Sequence, residues 1–383
     1  MKDILKEQSA NPNNPKWNNI IQRKSTLYQR DNDIRSDFER DYTRVINSRA
    51  YRRLKHKTQV FFSPENDHIC TRIEHVTLVE SISYTIAKYL GLNTELTKAI
   101  SIAHDIGHSP FGHQGEKILS EISKRDLNKS FWHEKNGLEY VDKIELLETP
   151  EGKYQNLDLT YGVRDGIISH CGEIDEISIK PRTEYIDLND YEHPNQYAPY
   201  TWEGCVVKLA DKLSYLGRDI ADAITLGILD EKPNELYDVL KLPKDTKINN
   251  TIILNTFIKD LCENSNLEQG LCFSKDKFEM INSLKEFNYK NIYFAEKTLS
   301  SVDYFKLILN KLYDFLKETF ENIEKQRKNC KILVDDFEEW LTSYYNFEKC
   351  KANIKEYSQA IIYYISGMTD KYAVQMYNKI ISF

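Results

Sequence analysis

The sequence predicts an all-α protein, and three observations carry that reading. Apolar residues recur at helical intervals through most of the chain, strand-type alternation is almost absent, and the periodic runs are punctuated by helix-stop and helix-start residues. Between Glu74 and Leu90, the residues Leu78, Ile82, Ile86, Tyr89 and Leu90 follow at steps of one, three or four, which suits a helix burying one face. Gly91 stops that helix, Asn93 is placed to cap the next, and Glu95 lies in the new first turn. This second helix turns Leu96, Ile100, Ala103 and Ile106 inward and ends at Gly107 and Pro110. A long helical stretch runs from Thr201 to Leu226, and the pattern resumes from Asn234 to the C-terminus with Tyr and Phe stripes that read as core.

The organisation follows from the same pass. Residues 1–32 are polar, with two prolines, and read as an irregular N-terminal arm. Residues 33–230 form a helical core with loop insertions around 150–200. Residues 231–383 are a helical region packed on that core, with little or no β structure anywhere. No internal repeat, heptad seam or low-complexity linker divides the chain.

Composition removes several function classes. Hydrophobic residues make up 40% and charged residues 29%, enough for a sizeable core and against wholesale disorder. A formal charge of −7 argues against a bulk nucleic-acid binder, which needs a basic face. The seven cysteines are odd in number and lack a CxxC pair, so neither a disulfide framework nor a zinc ribbon is indicated. The N-terminus has no apolar run of signal-peptide length, and the stretch Ala360 to Ile365 is far short of the ~20 residues of a membrane span. The expectation is a cytoplasmic protein without a membrane partner.

The chemistry concentrates at His104-Asp105-Ile106-Gly107-His108. Adjacent buried His and Asp need partners, and a shared cation supplies one. Imidazole with carboxylate suits a borderline divalent ion, Mn2+ first, then Fe2+, Co2+, Ni2+ or Zn2+; Mg2+ prefers more oxygen ligands but can substitute. Further ligands must come from elsewhere. His75, opening the preceding helix, and Asp211, directly after the apolar run Val206 to Ala210, are the candidates. His113 and Glu116 are three apart and share a helical face, within reach of a hydrogen bond. Tyr215 and Asp219 follow Asp211 by four and eight, again on one face.

His75, His104-Asp105 and Asp211, in that order and on helices, resemble the H…HD…D metal site of the HD superfamily. HDIGHSPFGHQGE, His104 to Glu116, resembles the HDxGHxPFGHxGE signature of the deoxyguanosine triphosphate triphosphohydrolase branch, which includes the sterile-alpha-motif/HD dNTPases. Asn47 to Phe61, Glu203 to Ala223, Leu284 to Tyr293 and Tyr364 to Ala373 resemble further blocks, so the likeness spans about residues 35–375. It implies an HD-domain helical core with a helical extension and metal-dependent hydrolysis of a dNTP to deoxynucleoside and triphosphate. His113 would be the catalytic histidine with Glu116 as its partner, and His108 and His133 would contact phosphate. Arg72 and Lys212 would bind phosphate, and Gln59, Tyr215 and Asp219 the deoxyribose. His133 lies in a WHE context nearer the sterile-alpha-motif form, which leaves the base preference open. Family likeness also implies a homo-oligomer, dimer or hexamer, and an allosteric nucleotide or single-stranded DNA effector. The alternatives are another HD phosphohydrolase acting on monoesters or cyclic nucleotides, or a nucleotide-sensing HD protein.

Overall fold

The computed structural model describes residues 3–26, 33–62, 66–171, 176–230, 234–243, 246, 248–345, 350 and 352–382. It is 65% helical with 4% strand, as an all-α sequence requires. After α1 (Trp17–Ile20) come α2 (Asp37–Asn47), α3 (Arg49–Arg53), α4 (Arg72–Leu90) and α5 (Thr94–Ala103). Glu74 accepts from Thr71 N at 2.8 Å, closing the first turn of α4. Gly91 takes a left-handed conformation (φ 81°) and Asn93 accepts from Glu95 N and Leu96 N. That short connection folds α5 back along α4. It brings the end of α5, with His104 and Asp105, to the start of α4, with Arg72 and His75.

Beyond α5 the chain runs in turns to α6 (Gly112–Leu127) and α7 (His133–Glu139). A Cβ at Gly107 would lie 2.1 Å from His133 O and 2.2 Å from Gly137 N, so only glycine lets α7 pack this tightly on the turn. β1 (Leu146–Glu148) and β2 (Tyr154–Asn156) pair antiparallel as a small hairpin before α8 (Tyr161–Ser169). The region 181–200 is largely irregular, held by Arg182, which donates to Ala198 O at 2.7 Å and Asp165 Oδ1 at 2.5 Å. α9 (Trp202–Thr225) then crosses the core, capped by Thr201.

α10 (Asn234–Val239), α11 (Asn250–Asn264) and α12 (Lys275–Asn288) follow, with the two-residue pair β3 (Ser178–Ile179) and β4 (Leu271–Cys272) beside them. Their apolar residues, Leu236 to Ile292, join one core with those of α2, α4, α5, α8 and α9. A second core gathers Phe111, Ile118, Leu119, Ile122 and Phe131 with the apolar faces of α14 (Val302–Asn329), α15 (Lys331–Tyr344), α16 (Ile354–Ser366) and α17 (Asp370–Ile381), after the short α13 (Glu296–Leu299). The division by packing therefore falls after Ile292, with α6 crossing to the second core.

The described part of the N-terminal arm, residues 3–26, is not wholly irregular. It has a tight 3-10 turn at Lys6–Gln8 besides α1, and it buries Leu5, Ala10 and Ile20. Glu203 Oε1 accepts from Ala10 N and from Asn93 N, each at 2.9 Å, tying the arm to α9 and α5. Among the described residues, no helix is long and apolar enough to cross a membrane.

Candidate metal centre and the histidine wall beside it

Three helix segments bring four donors close together, in two overlapping groups that share His104: His75, His104 and Asp211, and His104, Asp105 and His170. His75 Nε2 lies 3.0 Å from Asp211 Oδ1 and 3.6 Å from Asp105 Oδ2. His104 Nε2 lies 3.6 Å from Asp105 Oδ1 and 3.8 Å from Asp211 Oδ1. Each imidazole is oriented from behind. His104 Nδ1 donates to Ser101 O at 2.6 Å; His75 Nδ1 meets Ser214 Oγ at 3.2 Å, and that hydroxyl in turn donates to Asp211 O. Both Nε2 atoms are thus left as lone pairs aimed at the carboxylates, the arrangement in which metal-bound histidines are held. His104 Nε2 is buried without a hydrogen-bond partner.

The carboxylates are prepared to the same end. Burial alone would raise both pKa values, but His104, His108 and Arg72 hold Asp105 well below the usual range, and His75 and His104 bring Asp211 to about 2. Two ionised carboxylates and two imidazole Nε2 atoms are a donor set that fits a divalent transition ion. HD domains bind divalent metals, and His75, His104, Asp105 and Asp211 are the residues that would hold one here.

Beside this set stands a wall of histidines ordered by one carboxylate. Glu116 Oε2 meets His113 Nδ1 at 3.2 Å, and both Glu116 oxygens lie 3.1 Å from His133 Nδ1. Glu116 Oε1 also accepts from His133 N at 2.9 Å. His133 and His113 outweigh burial and hold Glu116 well below its ordinary pKa. His133 is raised well above its ordinary value, because Glu134 and Glu116 overcome its burial. His108 links the two groups: its Nε2 is 3.2 Å from Asp105 Oδ1 and its ring stacks on His133 at 3.7 Å. Burial, then Arg72 and His133, keep His108 neutral. The side chain of His113 is 66% exposed, so it faces outward from this wall.

The substrate-binding candidates divide. Arg72 is turned inward: it donates to Asp105 Oδ2 at 2.7 Å and to Gln59 O at 3.1 Å, so it braces the metal carboxylate. Gln59 Oε1 is buried without a partner, and Gln59 O and Arg72 Nη2 lie 3.1 and 3.5 Å from a Cβ built at Gly112 (φ 57°). Asp219 accepts from Tyr293 OH at 2.6 Å, and burial lifts its pKa to about 7. Tyr215, one turn before, is half-buried against the first core. Lys212 follows Asp211 directly. It is about 100° round the helix from Asp211 and lines a small cavity with Leu213, Phe273 and Phe278.

Three residues at the site escaped the sequence reading. His170 ends α8 and lies 3.9 Å from Asp105 Oδ1, with its ring 4.8 Å from that of His104. Burial, then His104 and His133, press its pKa to about 3. Lys57 is buried and donates to His108 O and Ser366 O. Asp370 accepts from Phe111 N at 3.0 Å and Thr58 N at 2.8 Å, fixing the chain on both sides of the wall. The available signals were a histidine two residues after the pair Ile167-Ile168 and the aspartate of the Tyr364 to Ala373 block.

Comparison with known proteins adds to the geometry. The HD domain matches residues 72–216 and the phosphohydrolase-associated domain matches residues 271–379. The chain is 33% identical to a deoxyguanosinetriphosphate triphosphohydrolase-like protein of Caldanaerobacter subterraneus subsp. tengcongensis, over 91% of this chain and 86% of that one. Similarly named proteins of Desulfatibacillum aliphaticivorans (33%, covering 91% and 88%) and Clostridium tetani (32%, covering 92% and 88%) match over nearly the same length.

Proposed function

The chain belongs to the deoxyguanosinetriphosphate triphosphohydrolase-like family of HD-domain hydrolases, and on that premise we propose that it cleaves a deoxynucleoside triphosphate, dGTP or several dNTPs, to deoxynucleoside and inorganic triphosphate. The observation that carries this reading is the junction at His108. That ring touches Asp105 of the four-donor set and stacks on His133 of the Glu116-ordered wall, so a cation site and an acid/base group adjoin.

In this reading, water attacks the α-phosphorus, the bond to O5′ breaks, the 5′-oxygen takes a proton and triphosphate departs. A cation held by His75, His104, Asp105 and Asp211, Mn2+ being best suited, supplies Lewis-acid polarisation of the phosphate. His113, oriented by Glu116, is the exposed imidazole able to exchange that proton with substrate. Charged His133, with no ion bound at its Nε2, presents a donor to the phosphate oxygens, whereas His108 gives its one N–H to Asp105 and contacts phosphate only after gaining a second proton. Gln59, Tyr215 and Asp219 would face the deoxyribose. Arg72 acts through Asp105 in the described conformation, and phosphate contact requires it to turn. A cytoplasmic homo-oligomer, dimer or hexamer, responsive to a nucleotide or single-stranded DNA, completes the proposal.

The test is incubation with Mn2+ and each dNTP in turn, with anion-exchange separation of products. Intact triphosphate is expected. Pyrophosphate or orthophosphate alone would sink the reading, and no turnover of any nucleotide would favour a sensing role.

A further inference from the structure

A second group of ligand-type atoms meets beyond the four donors. His133, His170 and Cys171 each offer one atom, and these atoms all lie within 4.8 Å of one another. The contact at its centre needs an explanation: His133 Nε2 and His170 Nε2 are 3.4 Å apart. His170 Nδ1 faces Ile167 O at 2.7 Å, and a carbonyl only accepts, so the ring hydrogen sits on Nδ1. His133 Nδ1 is likewise directed at both oxygens of Glu116. With each Nδ1 donating, two Nε2 lone pairs point at each other unless something positive lies between them.

A proton on His133 is one answer, and a metal ion is another that accounts for more. A ligating imidazole characteristically gives its second ring N–H to a carbonyl or carboxylate. His170 does the first and His133 the second. His170 is also built as His104 is: each follows a helix and donates from Nδ1 to the carbonyl three residues back, Ile167 O and Ser101 O. Two nitrogens about 2.1 Å from one tetrahedral ion stand about 3.4 Å apart, which is the spacing found. Cys171 adds a third ligand-type atom at this point, its side chain hydrogen-bonded to His133. It is the one partly exposed cysteine of the seven; the other six are buried.

We propose that His133 Nε2, His170 Nε2 and Cys171 Sγ form a second divalent-cation site, adjacent to the first and selective for a thiolate-tolerant transition ion such as Zn2+ or Co2+. The ligand set is softer than the carboxylate-rich set beside it, so the two sites sort ions differently. Binding replaces the thiol proton, and any proton on His133 Nε2, and both are released to solvent. His170 Nε2 also lies 3.9 Å from Asp105 Oδ1 and groups with His104 and Asp105, so it borders both sites. An ion here fixes His133, and through it Glu116, without occupying the first site.

The experiment is a Co2+ titration of the full-length, metal-stripped protein with its thiols reduced. Bound ions are counted by equilibrium dialysis, and the near-ultraviolet sulfur-to-cobalt charge-transfer band is recorded. Two equivalents and a charge-transfer band are expected for the native chain. Cys171→Ser should keep one equivalent and lose the band, and His170→Gln should lose the band too, each variant checked for native helicity by circular dichroism. Asp211→Ala should keep the band while losing the other equivalent, which separates failure of this site from failure of the first. A native chain with one equivalent and no band, or a band that survives both Cys171→Ser and His170→Gln, overturns the proposal.

Discussion

A buried imidazole nitrogen with no protein partner is costly, and His104 Nε2 is in that position while its Nδ1 is satisfied by Ser101 O. The expense makes sense for an atom reserved for a cation, and it separates two kinds of residue experimentally. Asp211→Ala should lower metal affinity by on the order of 100-fold or more and abolish turnover, since even an outer partner is worth about 10–100-fold. His113→Ala should lower turnover by roughly 10²–10⁴-fold and leave bound metal unchanged. Metal content by elemental analysis beside dNTP hydrolysis decides both; a fully active His113→Ala protein would show that the proton moves elsewhere. Ser214 makes a finer case. Its hydroxyl touches His75 Nδ1 at 3.2 Å and donates to Asp211 O, so it orients one ligand without being one. Ser214→Ala should weaken metal binding by about 10–100-fold, read by competition with a chelator, while a saturating ion restores turnover.

At the scale of elements, α6 has to be aimed, because it carries both His113 and Glu116. Its entry is strained: Phe111 has φ 63°, a region a bulky aromatic side chain rarely adopts. Asp370, from the start of α17, holds it by accepting from Phe111 N and, with its other oxygen, from Thr58 N. Asp370→Ala leaves two backbone N–H groups unpaired, at about 1–3 kcal/mol each if they stay buried. The variant should lose stability in urea and drop in kcat, yet still bind one Co2+ at the first site; unchanged kcat would mean that α6 aims itself. The far end of α6 is tied by Asp126, which accepts from Tyr313 OH and Lys317 Nζ at 2.7 Å and from Arg125 Nε at 2.8 Å. Burial opposes ionisation there, but Arg125, Lys317 and Tyr313 outweigh it and hold the carboxyl well below the usual range. A depressed carboxylate contributes stability above its unfolded pKa of about 3.9, and that contribution is lost as pH falls through the folded value. Asp126→Asn should therefore cost about 1–2 kcal/mol at pH 7, with the gap to the native protein closing below pH ~4. A gap that stays constant down to pH 2 would rule out this linkage.

For the whole molecule, the legible features were those whose cause is local. Helical periodicity, Gly91 and Asn93 lie within a few residues of what they determine, and the His104-Asp105 pair announces itself in five letters. His170 did not, because its meaning depends on α8 packing against α5, where a Cβ at Gly166 would lie 2.4 Å from the Ile100 side chain. Lys212 is read from adjacency to Asp211, and adjacency in sequence becomes about 100° of rotation on a helix. Whether α10 to α12 join the first or second core is likewise settled by long-range packing. That packing has a functional consequence. The four metal donors stand on elements of the first core, whereas His113 and Glu116 ride on α6, whose Ile118, Leu119 and Ile122 belong to the second. Loosening the second core should then remove catalysis before it removes metal. Leu312, fully buried on α14, is the lever. Leu312→Ala should destabilise the second core by about 2–5 kcal/mol. In a urea titration followed by both turnover and bound Co2+, activity should vanish at lower urea than in the native protein, with metal release little shifted. If the two curves move together, the cores unfold as one unit and the acid/base wall is no more labile than the metal centre.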